Sequence, residues 1–336
     1  MTTSRRDLLR QGLGIGAAIG TSPWMPHWTQ PCAAAVDLPP LPPVVVDSHT
    51  HFYDPSRPEG VPWPSADDTV LFRTVLPADW ERVVAPLGVT ATVAVEASPW
   101  IEDTQWLLDL AAAHHPADGL QGIVAVVGNL PLGTPGCRKL IDRFASQPRF
   151  RGIRVNGDAL LAGLAEQAYR ADLGRLVDHG LALDVNHGAV FAAVDRLAPQ
   201  FRDLRVVVDH LGGPRVAPPG PAADWVEGMR RMADQSNVWM KVSAILESAV
   251  HAARADGGAG GVPEPAVVAP WLNEVFMRFG DGRLMFGSNW PVSDLAGLYA
   301  DVLGLVRGYV GGRGGPAGVA FWGGAAADAY RWPVAG

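Results

Sequence analysis

Residues 44–55 read VVVDSHTHFYDP, in which three valines precede two histidines, His49 and His51. A short valine run is typical of a buried β-strand. Residues two apart on a strand project to the same face, so the two imidazoles are predicted to lie side by side. Such a pair can bind one divalent ion. The alternative is a hydrogen-bonded histidine pair that only closes the end of a barrel.

The rest of the chain repeats this pattern of a short apolar run followed by a longer amphipathic stretch. The predicted strands are 44–51, 91–97, 120–128, 150–156, 181–187, 204–210, 237–244 and 283–290. Helical spacing of apolar residues is clearest in 103–115, 188–201 and 263–280. Eight strand–helix units predict an α/β protein, a single-domain (β/α)8 TIM barrel over residues 44–336. An open doubly wound sheet would require a glycine-rich phosphate loop after the first strand, and the sequence has none there.

The composition is typical of a well-packed globular protein, with 336 residues, 48% hydrophobic and 18% charged. The net charge of −7 and the lack of a Lys/Arg cluster argue against a nucleic-acid partner. No apolar run reaches the roughly 18 residues of a membrane span. Two distant cysteines, Cys32 and Cys137, form neither a disulfide framework nor a CxxC metal site. The expected partner is a small-molecule substrate.

The first 35 residues resemble a twin-arginine export signal. Paired arginines in SRRDLLR (4–10) precede a short glycine-rich apolar run, and small residues lead to a predicted cleavage near Ala35. Residues 36–43 are predicted to be a Pro-rich linker. The protein is therefore expected to engage the export machinery and to reside in the periplasm, with Cys32 removed. The alternative is a disordered basic N-terminus.

Polar residues follow most of the predicted strands at their carboxyl ends, where the active site of a parallel barrel lies. Besides the two histidines of the first strand, the candidates are Glu96, Arg154, His187, His210, Lys241 and Asn289. A buried polar group costs free energy unless it has partners, so packing alone does not account for this series. His210 is followed by two glycines, which allow a ligand to approach the backbone, and we expect a catalytic or ligand role for it.

Several of these candidates have a structural alternative. Arg154 is suited to hold a carboxylate or a lactone carbonyl oxygen, but it can also form a structural ion pair with Glu96. Lys241 can contact the substrate or neutralise an inward acid. Only one of Asn186 and His187 is expected to point into the barrel, because side chains alternate along a strand.

The 17 residues from Phe52 to Asp68 are rich in proline and tryptophan and predict a long loop at the mouth of the barrel, a lid or substrate wall. Tyr53, Trp63 and Trp290 are candidate substrate contacts there. Their rings suit stacking on a sugar or an aromatic ring, although such residues also simply pack.

Five motifs together resemble the amidohydrolase-related, metal-dependent hydrolases of TIM-barrel fold. They are VDSHTHFYDP (46–55), RGIRVN (151–156), LRVVVDHLGGP (204–214), VWMKVSA (238–244) and LMFGSNWPV (284–292). The branch with sugar-acid lactonases and pyrone-dicarboxylate lactonases is the most similar.

The resemblance implies roles for the strand-end residues. His49 and His51 would be metal or substrate ligands, His210 a ligand or acid–base group, and Arg154 a binder of substrate oxygens. His187 lies near the place where a decarboxylase branch has a zinc ligand. One divalent ion, zinc, is implied, and it is weakly bound or dispensable in some lactonases of this branch.

The chain departs from the family at one position. The final strand commonly ends in Gly-Ser-Asp, whereas this chain has Asn289, whose amide cannot accept a proton from water. Asp294, five residues later, is a candidate substitute carboxylate.

We expect a hydrolase in which water, activated by a metal or by a base such as His210, attacks a lactone carbonyl while Arg154 stabilises the oxyanion. The alternatives are a zinc-dependent decarboxylase, with His187 turned inward, and an exported binding protein that has lost its base.

Overall fold

Valine, isoleucine and alanine fill the predicted strands, and all eight strands form within the predicted limits. The computed structural model describes residues 40–114, 121–311 and 315–332, which lie in one unit beginning at Val36. The strands are β1 (Val46–Thr50), β2 (Ala91–Val95), β3 (Gly122–Gly128), β4 (Phe150–Asn156), β5 (Ala182–Asn186), β6 (Arg205–Val208), β7 (Val238–Val242) and β8 (Leu284–Phe286). They are parallel and pair in sequence order, β1 to β8.

The sheet closes on itself beyond the end of β8. The Asn289 N–H donates to the His49 carbonyl at 2.9 Å, and the His51 N–H donates to the Trp290 carbonyl at 2.8 Å. Because these bonds join the last strand to the first, no sheet edge remains at this end of the barrel. The TIM-barrel prediction is confirmed, and the first histidine pair sits at the seam.

Helices cover the outside of the barrel, and the three predicted helical stretches are confirmed. The helices are α1 (Pro77–Val84), α2 (Ile101–Ala113), α3 (Cys137–Ala145), α4 (Gly157–Gly163), α5 (Gln167–Asp178), α6 (Val190–Leu197), α7 (Ala223–Ala233), α8 (Ile245–Ala255), α9 (Pro265–Phe279), α10 (Tyr299–Val310), α11 (Gly315–Val319) and α12 (Ala325–Tyr330). β4 and β7 are each followed by two helices rather than one.

The core has two parts. The larger part lies between the strands and the surrounding helices. The smaller part joins inward residues such as Val93 and Val207 to Ala326 and Tyr330 of α12, so the last helix covers one end of the barrel. Apolar burial of this extent is the main favourable contribution to folding.

The Pro- and Trp-rich loop is tied down by backbone hydrogen bonds. Tyr53 and Val75 exchange two of them, at 3.1 and 2.9 Å, and the Asp68 carboxylate accepts from the N–H groups of Val70 and Leu71. Partners of this kind hold the loop in one conformation over the barrel mouth.

The predicted export signal (1–35) and residues 36–39 of the predicted linker lie outside the described residues. Cys137 is a free, buried cysteine in α3. In the part of the chain that the structure describes, no helix has the length and apolar character needed to span a membrane.

Candidate active site

A cavity of about 830 Å³ opens at the carboxyl ends of the strands. Its volume is within the usual range for a small-molecule site. Residues at or just beyond the ends of all eight strands contribute to its wall, together with one aromatic residue of the mouth loop and one side of α8. Its polar wall residues include His51, Glu96, Asn129, Arg154, Asn186, His187, His210, Ser243, Glu247, His251, Arg254 and Asn289.

The chain turns sharply after each of the last four strands. His187, His210, Ala244 and Asn289 have φ angles of 46°, 57°, 52° and 59°, in the left-handed region that residues with a Cβ rarely adopt. Such strain occurs mainly at functional sites. Since side-chain alternation ends with the strand, Asn186 and His187 both line the cavity, and the expectation that only one could do so is wrong.

His51 lines the cavity and His49 lies beside it, with their Nε2 atoms 3.2 Å apart. Both side chains are buried. The His51 Nδ1–H donates to the Val95 carbonyl at 3.0 Å, so in the neutral ring the lone pair of His51 is on Nε2, which faces Nε2 of His49. Two nitrogens about 2.0–2.1 Å from one tetrahedral zinc ion would be roughly 3.3 Å apart, so the observed spacing suits a shared metal.

The surroundings of these histidines fit a cation. His49 Nδ1 lies 3.4 Å from Asp209 Oδ1, and one ligand atom each of His49, Asp209 and His210 lies within 4.8 Å of the others. Within the described residues, Asp209 Oδ2 is buried without a hydrogen-bond partner. Burial lowers the pKa of His49 far below its ordinary value and that of His51 to about 3, so both imidazoles are neutral, as metal ligands must be.

Lys241 is fully buried beneath this cluster and does not line the cavity. Its Nζ lies 2.6 Å from Asp184 Oδ2, 3.0 Å from Asp209 Oδ1 and 3.2 Å from His49 Nδ1. The Tyr330 hydroxyl of α12 donates to Asp184 at 2.8 Å. The geometry thus matches the structural alternative for Lys241, as the partner of inward acids.

The two acids beneath the histidines differ in their electrostatics. Burial raises the pKa of Asp209, but the ammonium of Lys241 and then His49 outweigh burial and hold that pKa well below its ordinary value. Burial raises the pKa of Asp184, with Lys241 opposing it. One ammonium therefore faces two carboxylates, an excess of negative charge that favours a bound cation.

His210 lies next to the histidine pair, with its ring centre 4.5 Å from that of His49. Its Nδ1 is 2.9 Å from the Ser243 hydroxyl, and burial lowers its pKa to about 3, with Asp209 opposing. His187 lies further out: it is exposed at the mouth, with its ring centre 6.0 Å from that of His210. A metal-binding role for His187 therefore stays a prediction.

Arg154 and Glu96 form the predicted ion pair, with Arg154 Nε 2.8 Å from Glu96 Oε1. Arg154 Nη2 also donates to the Glu96 carbonyl at 2.8 Å. Burial alone would lower the pKa of Arg154, but Glu96 and Asp209 raise it above its ordinary value. Both residues line the cavity, so the ion pair orients a guanidinium at its wall.

Of the three predicted aromatic contacts, the structure places one in the cavity wall. Trp63 lines the cavity, with its ring centre 6.0 Å from that of His51. Tyr53 is buried behind it, edge-on to Trp63 at 5.4 Å. Trp290 is buried against Phe52. Tyr53 and Trp290 thus support the wall from outside the cavity.

Asn289, just beyond the end of β8, is hydrogen-bonded to a carboxylate. Its Nδ2 donates to Glu247 Oε1 at 2.9 Å, and Glu247 lines the cavity beside it. Burial raises the pKa of Glu247 to about 7, with the Asn289 hydrogen bond opposing the rise. Asp294, the predicted substitute carboxylate, instead pairs with Arg73 Nη2 at 2.8 Å and is not part of the cavity wall.

Several residues of the site were not predicted from the sequence, and three of them illustrate different reasons. Asp184 stands inside the apolar run LALDVNH, and a charge at that position was an available signal. Glu247 lies in the first turn of α8, away from any strand end. Tyr330 comes from the last helix, and no local pattern connects it to the barrel interior.

The family model described as Amidohydrolase matches residues 46–308, which include all eight strands. The chain therefore belongs to the amidohydrolase family.

Characterised relatives are similar over most of their length. An L-fucono-1,5-lactonase of Burkholderia ambifaria is 32% identical over 263 residues, covering 76% of this chain and 83% of the relative. A 2-pyrone-4,6-dicarboxylate hydrolase of Comamonas testosteroni is 24% identical and covers 82% and 85%. The crystal structure of an amidohydrolase from Burkholderia multivorans with bound zinc superposes with a TM-score of 0.74 at 28% identity, covering 86% of this chain and all of that one.

Proposed function

We propose that this enzyme hydrolyses the ester bond of a lactone, with a sugar-acid 1,5-lactone as its substrate class. The observation that carries the proposal is the His49–His51 pair, at 3.2 Å, beneath a cavity whose wall presents the Arg154 guanidinium. The lactonase relative at 32% identity supports the same reaction. The cavity volume accommodates one sugar ring together with water.

One divalent ion, zinc, is the proposed cofactor. His49 and His51 would hold it, with Asp209 and His210 within reach, because imidazole and carboxylate donors suit zinc. The bound zinc of the Burkholderia multivorans amidohydrolase supports this assignment. When bound, such an ion supplies Lewis-acid polarisation of oxygen.

The residues of the chain itself prepare the lactone for attack by water. Arg154 holds the carbonyl oxygen and stabilises the negative charge that develops there, while Glu96 keeps the guanidinium in place. Trp63 stacks against the ring of the substrate. Lys241 and Asp184 fix the position of His49 from below.

The lactonase proposal is tested by titrating acid release at constant pH. The panel consists of L-fucono-1,5-lactone, other sugar 1,5-lactones and 2-pyrone-4,6-dicarboxylate. We expect acid release from at least one sugar lactone, loss of this activity in His51→Asn, and no change in Glu102→Gln, an exposed residue of α2. No acid release from any lactone would refute the function. Release of CO2 from an aromatic acid instead would favour a decarboxylase.

The zinc proposal is tested separately by elemental analysis. We expect about one zinc per chain in the wild type, and removal with a chelator followed by return of activity when zinc is added. The double variant His49→Asn/His51→Asn is expected to lose the bound zinc. A fully active wild type without metal would refute a zinc requirement and leave lactone hydrolysis standing.

Export is the proposed fate of the chain, and the support for it is the paired arginines of residues 4–10. The enzyme would then act on lactones in the periplasm. Replacing Arg5 and Arg6 by lysine is expected to retain the protein in the cytoplasm. Cell fractionation followed by immunoblotting measures this, and an unchanged periplasmic share would refute the export signal.

A further inference from the structure

The site lacks a carboxylate at position 289, yet a carboxylate lies in contact with that position. We propose that Glu247 is the proton acceptor that activates the attacking water, in place of an acidic residue at 289. This inference rests on the proposed lactone hydrolysis. It assigns a catalytic role to a helix residue that no strand-end pattern identifies.

The two oxygens of Glu247 have different environments. Oε1 accepts a hydrogen bond from Asn289 Nδ2 at 2.9 Å. Oε2 is buried and has no hydrogen-bond partner among the described residues. A buried carboxylate oxygen without a partner is costly, and a proton on that oxygen reduces the cost. Asn289 thus holds the carboxyl group while the second oxygen is available to take a proton.

The position of Glu247 is tied to the histidine pair through the backbone. The N–H of Asn289 donates to the carbonyl of His49 at 2.9 Å, so the amide that orients Glu247 belongs to the seam of the barrel. Glu247 itself lies in the first turn of α8, between the buried residues Leu246 and Ala249. A rigid helix start and a rigid strand end therefore fix the carboxyl group from two sides.

The other carboxylates near the cavity are already paired. Glu96 forms its ion pair with Arg154, and Asp209 lies below the cavity wall beside Lys241. Within the described residues that line the cavity, Glu96 and Glu247 are the two carboxylates, and Glu247 is the one without a cationic partner. An ion-paired carboxylate is a poor base, because the cation stabilises its ionised form.

The charges around Glu247 keep its proton affinity high. Burial is the largest cause of its raised pKa, and Asp294, in the turn after β8, adds to it. Asp294 is paired with Arg73, which partly offsets this effect. Of the titratable groups on the same helix, His251 and Arg254 line the cavity one and two turns further on. A base whose pKa is near the working pH transfers protons efficiently.

The proposed step balances without a further reactant. One O–H bond of water breaks as its proton moves to Glu247 Oε2, and the water oxygen bonds to the lactone carbonyl carbon. The carbonyl electron pair moves to the oxygen that Arg154 holds. When the carbonyl re-forms, the ring C–O bond breaks, and the leaving oxygen takes the proton back from Glu247. Lactone and water have then become a hydroxy acid.

The decisive variant is Glu247→Gln. Glutamine has nearly the same shape and keeps an oxygen that accepts the hydrogen bond from Asn289, but its amide cannot take a proton from water. We expect kcat to fall by about 10²–10³-fold, the usual contribution of a general base, with KM changed by less than about threefold. Zinc content and thermal unfolding temperature are expected to match the wild type. Glu102→Gln, also in the first turn of a barrel helix but exposed, is the matched control and is expected to keep full activity.

Recovery of activity by a second substitution distinguishes a proton acceptor from a residue with only a structural role. In Glu247→Gln, adding Asn289→Asp returns a carboxylate to the adjacent position, and we expect kcat to recover at least about tenfold. In the wild type, kcat is expected to fall about tenfold per pH unit below pH 7, because the base must be ionised. This acid limb is expected to disappear in Glu247→Gln.

The outcomes separate this inference from the proposed function. Wild-type hydrolysis with Glu247→Gln equally active, or with its acid limb retained, would overturn the role of Glu247 and leave the lactonase standing. A folded wild type that hydrolyses no lactone of the panel would overturn both. A Glu247→Gln variant with low kcat, no acid limb and rescue by Asn289→Asp would establish the proton acceptor.

Discussion

Replacing Lys241 by methionine should be one of the most destabilising single changes in the barrel. The ammonium lies 2.6 Å from Asp184 and 3.0 Å from Asp209, and all three side chains are buried. At an effective dielectric constant of about 20, each contact is worth roughly 6 kcal/mol of Coulomb energy, most of which the desolvation of the charges cancels. Methionine fills similar space but leaves two buried carboxylates without a cation.

Removing one partner of a buried ion pair typically costs about 3–5 kcal/mol, and we expect Lys241→Met to lose this much free energy of unfolding. Equilibrium unfolding in urea, followed by circular dichroism, measures the loss. Adding Asp184→Asn to Lys241→Met removes one unpaired charge and should restore about 1–3 kcal/mol. Lys139→Met is the matched control: this lysine is exposed on α3, and its loss should change stability by less than about 0.5 kcal/mol.

A loss of less than about 1 kcal/mol in Lys241→Met would refute this reasoning, because it would mean that the two acids do not need the ammonium. A double variant no more stable than Lys241→Met would refute the assignment of Asp184 as the stranded charge. Activity is expected to fall as well, since Lys241 also contacts His49 Nδ1 at 3.2 Å.

Three further predictions concern the guanidinium, the helix packing and the seam. Arg154→Lys removes the planar donor pair, and kcat/KM for the lactone should fall about 10²-fold at unchanged stability; unchanged kinetics would exclude Arg154 from oxyanion binding. Gly228→Ala would place a Cβ 2.2 Å from the Phe191 ring, so thermal unfolding should show a loss of about 1–3 kcal/mol. Gly174→Ala, in α5 with open space around the added carbon, should instead gain about 0.5–1 kcal/mol; equal effects at both sites would contradict the packing. Asn289→Ala removes the hydrogen bond that orients the Glu247 carboxyl group, so kcat should fall at least about tenfold while the zinc content is retained. Loss of zinc in this variant would mean that Asn289 supports the metal site.

The strands were predictable because a buried parallel strand is mostly apolar. The runs VVV (44–46), TVAV (92–95) and VVV (206–208) show this without any knowledge of their neighbours. The strand ends were predictable for the same reason, since a polar residue there breaks an apolar run. His49, Glu96, Arg154 and His210 belong to this class, and the structure brings them to one end of the barrel.

The partners of these residues depend on contacts between distant segments, which no local pattern encodes. Lys241 and Asp184 are 57 residues apart, and their pairing follows from strand register. Glu247 was not predictable, because an acid in the first turn of a helix is also what the helix dipole favours. The expectation for Asn186 and His187 depended on strand alternation, which fails where φ becomes positive, as it does at His187.

The closure of the barrel has a consequence for how the chain folds. Asp47 accepts hydrogen bonds from Ser288, 241 residues later, and from the Tyr299 hydroxyl. Tyr330, almost at the end of the described chain, supplies the hydrogen bond that completes the charged cluster under His49. Contacts of such high sequence separation form late and slowly. The charged cluster under His49 is therefore incomplete until Tyr330 has been synthesised and has left the ribosome.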